Sequence, residues 1–84
     1  MLYAVGTIPR QIAYFKERTM VHFQVATGPA QVRIGEDQWT LYTQVAGLPQ
    51  GLVMTSSGGI YSLWWRGPLW IVADMDCYVN IVPA

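Results

Sequence analysis

Three groups of side chains in this sequence could do chemistry: the imidazole of His22, the carboxylates of Asp74 and Asp76, and the thiol of Cys77. A general base needs a nucleophile or a carboxylate beside it, and the residues flanking His22 supply neither. It reads as a surface or interface histidine, and at an interface its titration would make assembly acid-sensitive. Asp74-Met75-Asp76 opens like a calcium-binding loop, but the further oxygen ligands, the mid-loop glycine and the distal glutamate are absent. These aspartates read as turn formers, with a weak divalent site as the alternative; Glu36-Asp37 reads as a solvated turn. A glycosidase pair would need a fixed separation and one raised pKa. Cys77 lies among apolar residues without a neighbouring base and reads as a small hydrophobe. Gly58-Gly59 follow two serines outside any GxGxxG or Walker pattern, which argues against a phosphate cradle. With one His, one Cys and no zinc-like spacing, the expectation is a protein without catalysis, cofactor or metal.

The aromatic residues carry more. Trp64, Trp65 and Trp70 fall within seven positions, with Tyr61 and Tyr78 nearby. Neighbours on a strand point to opposite faces, so Trp64 and Trp65 cannot both join a simple core. The outer indole would be an interface anchor or a stacking platform for sugar. Polar partners for a sugar are scarce, which favours the interface.

Composition agrees. The chain has 84 residues, 52% of them apolar and 12% charged, with formal net charge zero. That charged share is about half the usual one. The five basic residues, Arg10, Lys16, Arg18, Arg33 and Arg66, are scattered, whereas nucleic-acid binding needs a concentrated basic footprint. A chain this short buries only a little over roughly 60% of its extended surface. The usual supplements are disulfides, metals or association, and association is the one left. No apolar run approaches the ~18 residues of a membrane-spanning helix. The start, Met1-Leu2-Tyr3-Ala4-Val5-Gly6, lacks the features of a signal peptide, so synthesis in a cytoplasm is expected.

The elements that must position these residues are strands, because alternation dominates. Residues 19–26 place Val21, Phe23 and Val25 on one face and His22 and Gln24 on the other; residues 31–34 place Val32 and Ile34 inward. Residues 38–45 favour strand through Trp39, Thr40, Tyr42, Thr43 and Val45, and residues 47–51 read as a turn. A short strand follows at 52–55, then a tip at 56–59, a strand at 60–65, a turn at Arg66-Gly67-Pro68 and a closing hairpin to residue 84. Residues 12–15 read as a strand and Lys16-Glu17-Arg18 as a polar connection.

One pattern recurs 47 positions apart. Val25-Ala26, a four-residue turn and Val32-x-Ile34 match Val72-Ala73, a four-residue turn and Val79-x-Ile81. In the second copy Leu69 and Ile71 stand in the phase of His22 and Gln24, so that strand looks apolar on both faces. The expected fold is all-β: an antiparallel β-sandwich or barrel of jelly-roll or Greek-key type with seven to eight short strands. Residues 1–10 would form an arm or edge strand and residues 11–84 a single domain. Leu69, Ile71 and one of Trp64 or Trp65 are expected between protomers, with residues 1–5, including Leu2 and Tyr3, reaching a neighbour. Trp70 and Tyr78 complete the expected interface.

The succession Arg18-x-x-Val21-x-Phe23, Val32-x-Ile34-Gly35, Gly47-Leu48-Pro49, Gly67-Pro68-Leu69-Trp70-Ile71-Val72-Ala73 and Val79-x-Ile81 is similar to small tailed-phage virion proteins. The resemblance covers roughly residues 18–82, is largely one of hydrophobic pattern, and departs from that pattern at Trp64-Trp65 and in the apolar N-terminus. It implies a capsid decoration, or cement, protein: a homo-oligomer, most often a trimer, bound to a phage major capsid protein on the virion surface, without nucleic-acid or membrane contact. The alternative is a carbohydrate- or receptor-binding module of a fibre or spike.

Overall fold

The computed structural model describes residues 1–27, 29–37, 44–45, 48–49, 52–55 and 58–83. Eight strands lie among them: β1 (Leu2–Val5), β2 (Arg10–Val25), β3 (Gln31–Gly35), β4 (Gln44–Val45), β5 (Leu48–Pro49), β6 (Leu52–Thr55), β7 (Ile60–Ala73) and β8 (Cys77–Pro83). No α-helix occurs among the described residues. Six strands form one antiparallel sheet in the order β1-β8-β2-β7-β3-β6, and β4 and β5 pair as a separate ribbon. The strand expected at residues 38–45 lies outside the described residues except for Gln44 and Val45, as do Gly28, Gly47, Gln50, Gly51, Ser56 and Ser57 in the expected turns.

Strand length dictates the shape. Sixteen extended residues at a rise of about 3.3 Å each would run about 50 Å, yet the longest dimension of the molecule is 33 Å. β2 must therefore bend, and its pairing with β7 slips register between Gln11 and Ala13 and again between Phe15 and Thr19. Lys16, Glu17 and Arg18 are all exposed at the second slip, so the expected polar connection is a bulge inside one continuous strand. Extra residues on one strand bend it and increase its twist. Across the ladder, Gly67 sits opposite Phe15 with φ 88°, a conformation that costs other residues a clash at Cβ. The turn expected at Arg66-Gly67-Pro68 is thus a bend within β7. The Trp65 indole Nε1 donates to the Pro68 carbonyl at 2.9 Å and clasps that bend.

Bending divides β2 and β7 into two limbs each and curls the sheet into half a barrel. One flank holds β1, β8, the second limb of β2 and the first limb of β7. The other holds the first limb of β2, the second limb of β7, β3 and β6. The inner faces share one core: Val5, Val21, Phe23, Val79 and Ile81 from the first flank, and Val32, Ile34, Met54, Leu69 and Ile71 from the second. The inward phases expected for Val21, Phe23, Val25, Val32 and Ile34 are those observed.

Two expectations are corrected. Leu69 and Ile71 are 0% exposed and belong to the chain's own core; the curl sets them against the opposite flank, so no second subunit is needed to cover them. Neither segment of the 47-residue repeat is a hairpin. β2 pairs with β7 and β8, while β3 pairs with β6 and β7. The connections from β2 to β3 and from β7 to β8 therefore carry the chain from one flank to the other.

Candidate functional site: an uncharged outer sheet face

Register assembles a face from residues far apart in sequence. In an antiparallel ladder, directly opposite residues share a side. On β8 the buried residues Cys77, Val79 and Ile81 alternate with Tyr78, Asn80 and Val82, which point outward. Opposite them on β1 are Ala4 and Leu2, and on β2 Gln24 and His22. The next row on β7 is Ile60, Ser62 and Trp64, the last opposite Met20. None of the described side chains in these register positions is charged. Ile60 is 65% exposed, Leu2 57%, Trp64 56%, Tyr78 49% and Val82 45%.

The centre of this face is polar. His22 Nδ1 and Ser62 Oγ lie 2.7 Å apart in a cross-strand hydrogen bond, with Gln24 and Asn80 in the adjoining row. A serine and an imidazole are two parts of an acyl-transfer site. The third, an acidic side chain to orient the ring, is missing from the rows of this face. At the rim, the Arg18 guanidinium stands over the Trp64 ring, 5.4 Å from its centroid. That cation–π contact occupies one of the two indole faces.

The remaining reactive residues lie at the turn that follows β7. Asp74 Oδ1 accepts the Gln31 backbone N–H at 2.8 Å, the work of a turn former. Asp76 borders a shallow recess of about 500 Å³, together with Gly6, Thr27 and Tyr78, and Cys77 lines it. The Cys77 thiol is pushed above its ordinary value, first by burial and then by the nearby carboxylates Asp74 and Asp76. Such a thiol is a poor nucleophile. Among the described residues no three of His, Cys, Asp and Glu gather where they could hold a metal ion.

Of the eight residues expected at an interface, the fold brings three onto this face: Leu2, Trp64 and Tyr78. Tyr3 and Trp65 turn inward and pack against the core. Trp70 is half-buried on the other side of β7 from Leu69 and Ile71. Residues 1–5 are stitched to their own sheet: β1 pairs with β8, and the Met1 amino group donates to the Ile81 carbonyl at 2.8 Å. Met20, Ile60 and Val82 were missed. Val82 was recoverable from its alternation with Val79 and Ile81, and Ile60 from its phase with Trp64. The pairing of His22 with Ser62, 40 positions apart, leaves no local signal. Compared with protein-family models, with curated proteins and with solved structures, this chain has no match.

Proposed function

We propose that this chain is a non-enzymatic structural subunit that self-associates and seats its uncharged outer face on a larger protein shell, as a phage capsid decoration protein does. The observation that carries the reading is that face: five large apolar or aromatic side chains left open to water, with no charge among them. Large apolar side chains left exposed together on one sheet face point to an interaction surface. Trp and Tyr are the residue types that most often anchor protein interfaces, and Trp64 and Tyr78 stand exposed around the polar centre of this face. The low charge of the chain fits a protein covered in its working state. A trimer closes such contacts by symmetry, and the two flanks of the curled sheet serve as the layers of a sandwich of jelly-roll or Greek-key type. The site of action is then the virion surface, with the major capsid protein as partner.

The test is reassociation with phage shells stripped of their accessory proteins. Wild-type protein co-sediments with the shells, and Trp64→Asp and Val82→Asp remain in the supernatant while keeping a native circular dichroism spectrum. Equal co-sedimentation of all three defeats the reading. Quenching of tryptophan fluorescence by simple sugars would instead favour a carbohydrate-binding module.

A further inference from the structure

We infer that this chain is two copies of one three-stranded unit, β1-β2-β3 and β6-β7-β8, and that the partner each unit recognises is another copy of the same unit. The strand order β1-β8-β2-β7-β3-β6 reads the same from either end when β1, β2 and β3 exchange names with β6, β7 and β8. Every ladder of the six-stranded sheet joins one unit to the other: β1 with β8, β8 with β2, β2 with β7, β7 with β3, and β3 with β6. Neither unit contains a ladder of its own.

The 47-residue spacing reappears in the hydrogen bonds. The Gln31 N–H donates to Asp74 Oδ1 at 2.8 Å, and the Tyr78 N–H donates to Thr27 Oγ1 at 3.0 Å. Thr27 and Asp74 are 47 positions apart, and so are Gln31 and Tyr78. Each unit's cross-flank turn thus offers a short side-chain oxygen to the first or second strand residue after the other's turn. Val32 and Val79, and Ile34 and Ile81, are equivalent pairs within the core; Val25 is buried there too, whereas its counterpart Val72 is buried on the opposite face of β7 from Leu69 and Ile71. Thr19 faces Trp65 at the bend, one position from its equivalent Arg66, so the two-fold relation between the units centres where both long strands turn and is approximate: His22 faces Ser62, whereas its equivalent Leu69 faces Ala13 instead of Phe15. The β3–β7 and β8–β2 ladders differ by one residue in register, since Ile34 faces Ile71 whereas Ile81 faces Phe23 instead of Gln24; the outermost pair differ by four, since Val32 faces Met54 whereas Val79 faces Tyr3 instead of Thr7. Alternation alone would place valines in phase. It would not produce a palindromic strand order or reciprocal turn contacts at one spacing.

A unit by itself is three strands without a partner, with both edges of each unpaired and half a core exposed. Its folding is inseparable from association, as in an obligate dimer. Residues 36–51 tie the two units into one chain, and the same ladders can equally form between chains, the first unit of one copy with the second unit of another. This exchange gives the self-association proposed above a structural route, yet it stands or falls independently of any shell.

Complementation between full-length variants tests it. Val32→Asp damages only the first unit and Val79→Asp only the second, both at positions fully closed to water. Each alone should lose the near-ultraviolet dichroism of its packed aromatic residues. Refolded together from denaturant, they should regain it and run as a 1:1 heterodimer, with the intact second unit of one chain closed on the intact first unit of the other. A mixture of Val32→Asp with Ile34→Asp, both damaged in the first unit, should regain nothing. If either single variant still folds, Val32→Asp/Ile34→Asp and Val79→Asp/Ile81→Asp replace them. Failure of the cross-unit mixture to recover, or equal recovery of the same-unit mixture, overturns the inference.

Discussion

The two limbs of β7 run along the same partner strand and meet different fates. From Ile60 to Trp65 the limb alternates exposed and half-buried residues; after Pro68 it is closed to water on nearly every side, with Leu69, Ile71, Val72 and Ala73 all buried. Both pair with β2, and only the second also pairs with β3. Apolar residues on both faces of a strand therefore report a central position in a curled sheet as readily as a contact between subunits. The surface that lacks cover lies on the other limb, around Trp64, where the sequence is less apolar.

This contrast can be broken most forcefully at Ile71. Burying an unpaired carboxylate costs several kcal/mol in a domain whose whole stability is on the order of 5–15 kcal/mol, so Ile71→Asp should abolish cooperative thermal unfolding. A folded monomer would place Ile71 outside the core. Next, Leu69→Ala should cost about 2–5 kcal/mol in urea melts, and Ile60→Ala, on the open limb, within about 0.5 kcal/mol. Similar losses at the two sites would erase the distinction between limbs.

The hinge between the limbs gives a smaller effect. Nothing lies within 4 Å of a Cβ built on Gly67, so Gly67→Ala meets no clash with neighbours and should lose only the left-handed backbone penalty, about 1–2 kcal/mol. A neutral result would mean that β7 does not need the positive φ. Smaller still is the effect of Cys77. Its thiol is held neutral by burial beside Asp74 and Asp76, so the raised folded value contributes fully below the ordinary thiol range. As pH climbs past about 9, the unfolded chain ionises first and stability falls. The melting temperature of wild type, but not of Cys77→Ala, should decline there, and thiol alkylation at neutral pH should be slow. Fast alkylation would place Cys77 at the surface.

Legibility in the sequence followed locality. Alternation identified the inward residues of β2 and β3 because period two is a property of the strand itself. Lys16-Glu17-Arg18 and Gly67-Pro68 were legible as interruptions, but whether an interruption is a turn or a bend depends on what lies across the ladder. Leu69 and Ile71 were misplaced for the same reason: their phase is local, and the flank that covers them is not. At the outer face, Leu2, Trp64 and Tyr78 are exposed side chains that residue type had already singled out, while the His22–Ser62 contact depends on a register that joins distant strands.

By itself the amino-acid sequence determined the strand class, the inward phase of each well-patterned segment, the scarcity of charge and the 47-residue recurrence, all carried by residues a few positions apart. Tertiary structure alone decided which of the apolar faces is covered and which is open. β2 and β7 are too long to stay straight within a molecule 33 Å in its longest dimension, and their common bend closes one face while leaving another to water.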